Sequence, residues 1–358
     1  MKNVRIAVAG AGLIGREHIR CIQAVEGAEL IAIVDPSSAA EHKANELGVA
    51  HFTELKDLLS AGLAEGVVLA TPNNLHAEQT RQCIEAGLAS LVEKPVSSDI
   101  ESARDLVDFY RIEGGDVPVL VGHHRSYSAV MQAASNQISR GELGRLVAIQ
   151  GSALFYKPAH YFREGKWRTK KGGGPILLNL IHEIGNLRQL CGEIRSVSAI
   201  TSNSIRNFEV EDTCAIALEF ESGALGTFIL SDTAASPKSW EQTSGENRSY
   251  AHYPLESCYH ITGTQGSLSV PSMKRYRYSA NTDPSWWNQF EQSNIEFDEV
   301  DPLIEQMKSF VAVINGEEAP RVSLVDGYMN LLVIEAVVKS AKTSRPVLID
   351  PVALALNA

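Results

Sequence analysis

The opening of the chain constrains its fold more than any other stretch does. An apolar run over Val4–Ala9 is followed directly by Gly10, Gly12 and Gly15. Gly10 permits a sharp exit from a strand, Gly12 lets the backbone approach a pyrophosphate, and Gly15 lets a helix lie close to a sheet. The first N–H groups of such a helix attract anions. The sequence therefore predicts a dinucleotide-binding turn between a strand and a helix.

A second apolar run and an acid complete this pattern. Leu30–Val34 ends at Asp35, twenty residues beyond Gly15. A carboxylate at the end of the second strand accepts hydrogen bonds from the adenosine ribose of NAD and repels the 2′-phosphate of NADP. Leu13 and Ile14, which begin the helix between the glycines, are further predicted cofactor contacts. The expected cofactor is NAD, with NADP less favoured.

Length, charge and cysteine content narrow the class of protein. The 358 residues are enough for two domains, and a formal net charge of -11 disfavours nucleic acid and anionic membranes as partners. The five cysteines are widely spaced, so neither a disulfide framework nor a metal site is expected, and a reducing, cytoplasmic location is. The apolar runs are too short to predict a membrane span.

Beyond the second strand the chain alternates between apolar runs and amphipathic helices, with a strand predicted over Gly66–Ala70. This alternation is typical of a parallel sheet covered by helices on both faces. Residues at the carboxyl ends of such strands line the crevice that binds ligands, so Thr71, Pro72, Asn73 and His76 are predicted to contact the cofactor. Two alternatives stay open: Asn73 as a helix cap and His76 as a surface residue of the first turn.

Glu93-Lys94-Pro95 follows the next predicted strand, Ser90–Val92. A lysine at this edge of the sheet can hold a substrate hydroxyl and lower the cost of its deprotonation. Lys94 is therefore predicted to be catalytic and to contact both cofactor and substrate, and Pro95 makes the bond before it a candidate cis peptide. The alternative is a surface lysine before a helix-starting proline, which the glycine-rich turn disfavours.

The alternating pattern ends near residue 122, where we place a domain boundary. This gives a nucleotide-binding domain over 1–122 and a substrate-binding and oligomerisation domain over 123–358. His123 and Arg125 follow the boundary directly, where ligand sites are common, and they are predicted to bind substrate. The alternative is that they are polar linker residues.

From Leu146 onward the sequence changes to long β-rich runs separated by turns such as Glu221-Ser222-Gly223. This favours a large, mostly antiparallel sheet. A sheet with one face packed on helices leaves its other face open, and another subunit is the simplest cover. A homodimer or homotetramer assembled through this sheet is therefore expected.

A second chemical centre is predicted where Gly172-Gly173-Gly174 and a proline lead into a helix over Ile176–Leu190. At about 100° per residue its apolar residues form one stripe, which places Asn179, His182 and Asn186 together on the other side. A neutral imidazole can accept a proton from a hydroxyl, and an amide can orient a substrate without ionising. His182 and Asn179 are therefore predicted to be catalytic and to bind substrate, with a structural histidine as the alternative.

Three separated motifs carry a resemblance to a known family. Gly10-x-Gly12-x-x-Gly15, Glu93-Lys94-Pro95, and Gly172-Gly173-Gly174 with His182 resemble, in this order, the glucose-fructose oxidoreductase, inositol dehydrogenase and rhizopine catabolism (Gfo/Idh/MocA) oxidoreductase family. The resemblance implies an α/β fold: an N-terminal Rossmann domain with a doubly wound parallel sheet, and a C-terminal α/β domain with a large, mostly antiparallel open sheet. It also implies that Lys94 and His182 are catalytic and that Glu93 helps seat the nicotinamide ribose.

The chain departs from this family at one position. Many members carry an aspartate four residues before the histidine, where this chain has Leu178, and the polar residue here is Asn179. An amide cannot raise the basicity of an imidazole as a carboxylate does. Glu183 lies beside the histidine but off its predicted face, so we expect it at the surface or as a structural partner of the helix.

These features together predict an NAD-dependent dehydrogenase that takes hydride from a secondary alcohol of a sugar, polyol or sugar acid, with His182 as base and Lys94 polarising the hydroxyl. Tyr161 and Trp167, in the stretch Phe155–Arg168, are predicted substrate contacts. Two alternatives remain: a redox-neutral enzyme with tightly held NAD, such as a glycoside hydrolase or a cofactor-recycling oxidoreductase, and a non-catalytic NAD-binding sensor. An aldehyde-oxidising enzyme would need a nucleophilic cysteine, and none of the five lies in a motif.

Overall fold

The computed structural model describes residues 3–279 and 281–349. Its strands, in chain order, are β1 (Val4–Ala9), β2 (Ala28–Val34), β3 (Ala50–Phe52), β4 (Gly66–Leu69), β5 (Ala89–Val92), β6 (Val119–Val121), β7 (Leu146–Leu154), β8 (Ile194–Ser202), β9 (Thr213–Phe220), β10 (Leu225–Ser231), β11 (Tyr259–Gly263), β12 (Gly266–Val270), β13 (Lys274–Arg277), β14 (Glu291–Asn294) and β15 (Val347–Leu348).

The α-helices, in chain order, are α1 (Leu13–Ala24), α2 (Ser38–Leu47), α3 (Leu55–Ala61), α4 (Asn73–Glu85), α5 (Ile100–Phe109), α6 (Ala129–Ser139), α7 (Ala159–Glu164), α8 (Ile181–Cys191), α9 (Trp240–Thr243), α10 (Pro302–Ile314) and α11 (Leu324–Thr343). π-Helical turns cover Tyr110–Gly114 and Ile176–Leu180, and 3₁₀ turns cover His124–Tyr127 and Lys166–Thr169. Residue contacts divide the chain into two compact units, the first formed by Met1–Tyr127 with Asp301–Leu331 and the second by Ser128–Val300 with Leu332–Ala358.

The first unit is built on a parallel sheet with the strand order β3-β2-β1-β4-β5-β6. This is the doubly wound order of dinucleotide-binding domains, and it confirms the predicted Rossmann sheet. Strands β1, β4 and β5 are buried along almost their whole length, as strands covered by helices on both faces must be. The carboxyl ends of these three strands therefore meet at one edge of the sheet.

A late segment of the chain completes the core of the first unit. Met307, Phe310 and Val313 of α10 are buried with α1 and the parallel strands in one hydrophobic cluster. Gly66 leaves room for this helix, because a Cβ on it would lie 2.5 Å from Ile314 Cδ1 and 3.1 Å from Phe310 Cζ. The first unit thus takes its packing partner from a part of the chain that follows strands β7 to β14 of the second sheet.

The second unit is built on a mixed sheet of nine strands in the order β14-β13-β12-β11-β7-β10-β9-β8-β15. Its neighbouring strands run antiparallel except for the central pair β7 and β10, which is parallel. The predicted large and mostly antiparallel sheet is therefore confirmed. In β9 the side chains alternate strictly, with Cys214, Ile216 and Leu218 buried and Ala215 and Ala217 exposed, so one face of the sheet is packed and the other is open.

Within residues 3–279 and 281–349, none of the helices is both long enough and apolar enough to cross a membrane. The same residues contain no group of three or more His, Cys, Asp or Glu side chains placed to hold a metal ion.

Candidate active site

The three positions of the first turn need glycine for different structural reasons. A Cβ on Gly10, whose φ is +89°, would lie 2.4 Å from Ala70 O, and one on Gly15 would lie 1.9 Å from Gly10 O. A Cβ on Gly12 would meet nothing within 4 Å. Gly10 and Gly15 are thus required by close packing, whereas Gly12 leaves open space at the N-terminus of α1. The first N–H groups of α1 face that space, which fits a bound pyrophosphate.

Asp35 is tied to this turn by hydrogen bonds. Its carboxylate accepts from Ala11 N at 2.9 Å, Ser37 N at 2.9 Å and Ser37 Oγ at 2.5 Å. Partial burial raises the pKa of Asp35, but the three hydrogen bonds outweigh it and leave the pKa below its usual value. The carboxylate is therefore charged at neutral pH and fixed beside the glycine turn, where the sequence predicted a ribose contact.

The loop after β4 is held by a buried histidine. Pro72 is the N-cap residue of α4, so Asn73 is its first helical residue and not its cap. His76 is only 1% exposed, and its ring nitrogens lie 2.8 Å from Thr71 O and 2.7 Å from Pro95 O. The interpretation of His76 as a surface residue is therefore wrong, because both ring nitrogens are used to join the β4 loop to the loop that carries Lys94.

Glu93 is engaged by a residue that the sequence analysis missed. The carboxylate is 6% exposed, lies 2.8 Å from His18 Nε2 and accepts the Lys94 N–H at 3.2 Å. A Cβ on Gly122 would come within 3.0 Å of the carboxylate. Burial raises the pKa of Glu93, but the hydrogen bond and charge of His18, followed by the charge of Lys94, bring it down to about 2. A polar residue on the apolar face of α1 is the sequence signal that could have pointed to His18.

Lys94 follows Glu93 and precedes a cis peptide bond, Lys94–Pro95, as the sequence predicted. Burial lowers the pKa of Lys94; the charge of Glu93 opposes this effect and the charge of Arg125 adds to it. Burial and the charge of Arg125 also lower the pKa of His124, to about 4, so His124 is neutral at pH 7. Lys94 is thus an amine whose proton is held less tightly than that of an exposed lysine.

The predicted substrate contacts next to the boundary are buried in the first unit. Arg125 is 5% exposed and His123 is 3% exposed. His123 Nε2 lies 3.1 Å from the side-chain nitrogen of Asn330 in α11. His123 therefore has a structural partner, and its role as a substrate contact stays a prediction.

In the second unit, the helix predicted over 176–190 begins as a π-helical turn, Ile176–Leu180, and becomes α8 at Ile181. The step of about 100° per residue does not apply to the first five residues, because a π-helix is wider than an α-helix. Gly174 has a φ of +82°, and Ile176 N donates to the Glu211 carboxylate at 2.9 Å. Asn179 and His182 are both half-buried on this element.

Asn179 has a charged partner that sequence reasoning missed. Lys157 Nζ donates to Asn179 Oδ1 at 2.7 Å, and its side chain is 12% exposed. Burial lowers the pKa of Lys157 to about 8; the charges of Asp232 and Glu241 oppose this effect. The only sequence signal for Lys157 is its place a few residues after the end of β7.

The remaining predicted residues of the second unit separate into two groups. Tyr161 is half-buried and Trp167 is 54% exposed. Asn186 is 1% exposed and donates to Tyr259 Oη at 2.9 Å, and Tyr259 in turn donates to Glu183, which is also 1% exposed. Glu183 is therefore a structural partner and not a surface residue, and Asn186 is part of a buried polar cluster.

A glycine turn at the carboxyl edge of a doubly wound sheet defines the first unit as a dinucleotide-binding domain, and a second α/β unit follows it. Two family models match the chain, one after the other along the sequence. One, described as the NAD-binding Rossmann fold of an oxidoreductase family, matches residues 4–123, and the other, described as the C-terminal alpha/beta domain of that family, matches residues 135–349. The chain belongs to this GFO/IDH/MocA oxidoreductase family, so the resemblance carried by the three motifs is confirmed.

Full-length relatives agree with this assignment. The chain is 26% identical to the 1,5-anhydro-D-fructose reductase of Ensifer adhaerens, with 95% of this chain and 97% of the relative covered. It is 25% identical to the scyllo-inositol 2-dehydrogenase (NAD(+)) of Bacillus subtilis (strain 168), with 97% and 96% covered. The crystal structure of the WlbA dehydrogenase from Bordetella pertussis in complex with NADH and UDP-GlcNAcA shares the fold, with a TM-score of 0.75, 24% identity, and 98% and 99% of the two chains covered. The chain is therefore an oxidoreductase with an NAD-binding Rossmann domain.

Proposed function

We propose that this protein is an NAD-dependent dehydrogenase that oxidises a secondary alcohol of a sugar, polyol or sugar acid. The observation that carries the proposal is in the first unit, where an open glycine turn and a lysine with a lowered pKa lie at the same edge of one sheet. Bound NAD would supply the hydride acceptor. Residues 1–122 would bind the cofactor, and residues 123–358 would bind the substrate and form subunit contacts.

Each protein group has a proposed task. Lys94 polarises the substrate hydroxyl, and His182 accepts its proton as hydride leaves the same carbon. Asn179 orients the substrate, with its amide oxygen already held by Lys157 and its amide NH₂ left to donate. Glu93 stays charged beside His18 and so favours the protonated form of Lys94 in the resting enzyme.

The proposed cofactor preference is for NAD. Asp35 is charged at neutral pH and is fixed by Ala11 and Ser37, so it can accept hydrogen bonds from a ribose and repels a 2′-phosphate. The cofactor-binding set also includes Leu13, which is 79% exposed at the start of α1.

The cysteines favour alcohol over aldehyde oxidation. All five are buried, and none of them forms a disulfide within the described residues. Burial raises the pKa of Cys21 to about 11 and the pKa values of Cys83, Cys191 and Cys214 to about 12. A nucleophilic cysteine needs the opposite environment. Buried cysteines that form no disulfide within the described residues also support the proposed cytoplasmic location.

The test is a spectrophotometric screen for reduced nicotinamide with NAD or NADP and a panel of inositols, aldoses, anhydrosugars and sugar acids at mildly alkaline pH. We expect NADH formation with NAD, and its loss in both Lys94→Ala and His182→Ala. Lys56→Ala and His160→Ala, at exposed positions, are the matched controls and should keep the activity. Full activity in Lys94→Ala would contradict the proposed mechanism, and NAD binding without NADH formation would favour a redox-neutral enzyme or a sensor.

We also propose that the open face of the nine-stranded sheet forms the homodimer or homotetramer contact. Ile200, Ala217, Leu225 and Thr227 lie on this face by strand register and are exposed, and an open apolar face is typical of a subunit interface. Ala217→Glu should shift the mass measured by light scattering toward the monomer, whereas Ser222→Glu, on the β9–β10 turn, should leave it unchanged. An unchanged mass for Ala217→Glu would contradict this assembly.

A further inference from the structure

Arg168 is held in one place by its surroundings in the second unit. Its guanidinium carbon lies 3.9 Å from the ring centroid of Tyr161, and its Nη1 donates to Tyr161 O at 2.6 Å. A Cβ on Gly165 would lie 2.8 Å from Arg168 Nε, and one on Gly173 would lie 2.7 Å from the Arg168 backbone. Gly173 is therefore required by the position of the Arg168 backbone, and the guanidinium is held against Tyr161 by stacking and a hydrogen bond.

The charge of this guanidinium is not neutralised. Within residues 3–279 and 281–349, the Arg168 side chain forms no ion pair, and its one hydrogen bond to the protein is the one to Tyr161 O. The side chain is half-buried, so it is partly accessible. An arginine that is stacked on an aromatic ring and lacks a carboxylate partner presents its remaining N–H groups as a fork that matches a planar carboxylate or a phosphate.

A second cation lies against the same tyrosine. Lys157 Nζ is 5.0 Å from the centroid of the Tyr161 ring and 2.7 Å from Asn179 Oδ1. Its ion-pair partner, the Asp232 carboxylate, is 4.0 Å away and is already bound by Arg206 Nε at 2.7 Å. Two cations therefore lie against the Tyr161 ring; Asp232 and Glu241 act on Lys157, whereas Arg168 has no carboxylate partner among the described residues.

We propose that the substrate carries an anionic group, a carboxylate or a phosphate, which Arg168 and Lys157 bind around Tyr161. This inference rests on the proposed function, since it names the class of sugar or polyol that is oxidised. Arg168 supplies the fork and Lys157 a point charge. Asn179, the hydrogen-bond partner of Lys157, lies three residues before His182 in the sequence. Arg168 and Lys157 thus act as specificity residues.

The experiment compares matched substrates with wild type and two variants. The probes are a hexose, the hexuronate and aldonate of the same configuration, and the hexose 6-phosphate, each with saturating NAD. Wild type should have a higher kcat/KM for an anionic probe than for the hexose. Comparison of the two carboxylate probes with the phosphate probe shows which anion the site binds. Arg168→Gln should lower kcat/KM for that probe by roughly 10- to 100-fold, mainly through KM, because a hydrogen bond to a charged group is lost. Arg163→Gln, an exposed arginine on α7, is the matched control and should change little.

Calorimetric titration of the NAD-loaded protein with the same probes gives a readout that does not need turnover. Binding of the anionic probe should be at least roughly tenfold tighter than binding of the hexose, and should weaken in Arg168→Gln and at high salt. Equal affinity for acid and neutral probes, or an equal loss for all probes in Arg168→Gln, would overturn the inference and leave the proposed function standing. If no probe is oxidised, the proposed function fails, and the titration alone decides whether the anion site exists.

Discussion

Replacing His18 with alanine should destabilise the first unit, because the change leaves the Glu93 carboxylate buried without its nearest donor. Glu93 is 6% exposed, and its oxygen lies 2.8 Å from His18 Nε2. Burial raises the pKa of Glu93, but His18 and then Lys94 bring it from 4.5 to about 2. At about 1.36 kcal/mol for each pKa unit, these surroundings stabilise the charged carboxyl by about 3 kcal/mol. Leaving a buried charged group without its hydrogen-bond donor costs a similar amount, at least about 1–3 kcal/mol.

The stabilisation that Glu93 provides depends on pH. Because the pKa of Glu93 is lower in the folded chain than its ordinary value, its contribution to stability is fully present above about pH 4.5 and is lost as the pH falls toward about 2. His18→Ala should therefore be costly at pH 7. The cost should shrink as the pH falls toward 2, because a growing fraction of Glu93 is then protonated even beside its partner.

The assay must observe the first unit specifically. The four tryptophans, Trp167, Trp240, Trp286 and Trp287, all lie in the second unit, so intrinsic tryptophan fluorescence does not report on the Rossmann sheet. Hydrogen exchange of the β5 and β6 amides measures its opening free energy directly, with the β9 amides as an internal control.

A double-mutant cycle separates the ion pair from the cavity that alanine creates. Glu93→Gln and the double variant complete the cycle, and we expect a coupling free energy of about 2–3 kcal/mol at pH 7. A coupling below about 0.5 kcal/mol, within the additivity of independent sites, would refute the reasoning that His18 holds the charge of Glu93.

Three further predictions concern the cofactor and substrate sites. Asp35→Ala should raise kcat/KM for NADP relative to kcat/KM for NAD by roughly tenfold or more, because the repulsion between the carboxylate and the 2′-phosphate is lost. Glu41→Ala, which removes an exposed acid of α2, should leave this ratio unchanged. An unchanged ratio in Asp35→Ala would argue against Asp35 as the residue that selects NAD. Gly12→Ala should weaken NAD binding, measured by titration, and leave the thermal unfolding midpoint unchanged. Gly15→Ala should lower the unfolding midpoint, because the new Cβ would lie 1.9 Å from Gly10 O. At pH values above about 8, the KM for an anionic substrate should increase, because Lys157 loses its proton there. Lys157→Met should remove most of this increase. If the increase persists in Lys157→Met, the pH dependence belongs to another group.

The parallel sheet was predictable because its signals are local. Apolar strands followed by glycine or polar residues, and helices of regular period, predicted a doubly wound parallel sheet, and Pro95 predicted the cis Lys94–Pro95 bond. The short strand β3 was not predicted. The contribution of α10 to the first unit was not predictable in the same way. Its apolar face predicts only that it is buried, and the partner against which it packs is set by contacts far apart in sequence, such as Phe310 with Gly66.

The candidate site shows the same division between local and distant information. Asp35 and Lys94 were predicted from their places at strand ends, because topology brings the carboxyl ends of parallel strands to one edge. His18 and Lys157 were missed, because each acts through a partner that is distant in the chain, Glu93 and Asn179 respectively. The expected common face of Asn179 and His182 assumed an α-helix, and the π-helical turn over Ile176–Leu180 removes that assumption.

The glycines also show how a functional residue can be separated from a structural one. Gly10 needs its positive φ and its closeness to Ala70, and Gly15 needs its closeness to Gly10. Gly12 has a φ of -67°, and a Cβ at this position would have no neighbouring atom within 4 Å, so the described fold accepts alanine there without strain. The reason for glycine at this position must then lie in something that approaches the backbone from outside the fold. An anion seated on the N-terminus of α1 is the group that fits that space, which is why the absence of a packing reason at Gly12 supports the nucleotide site.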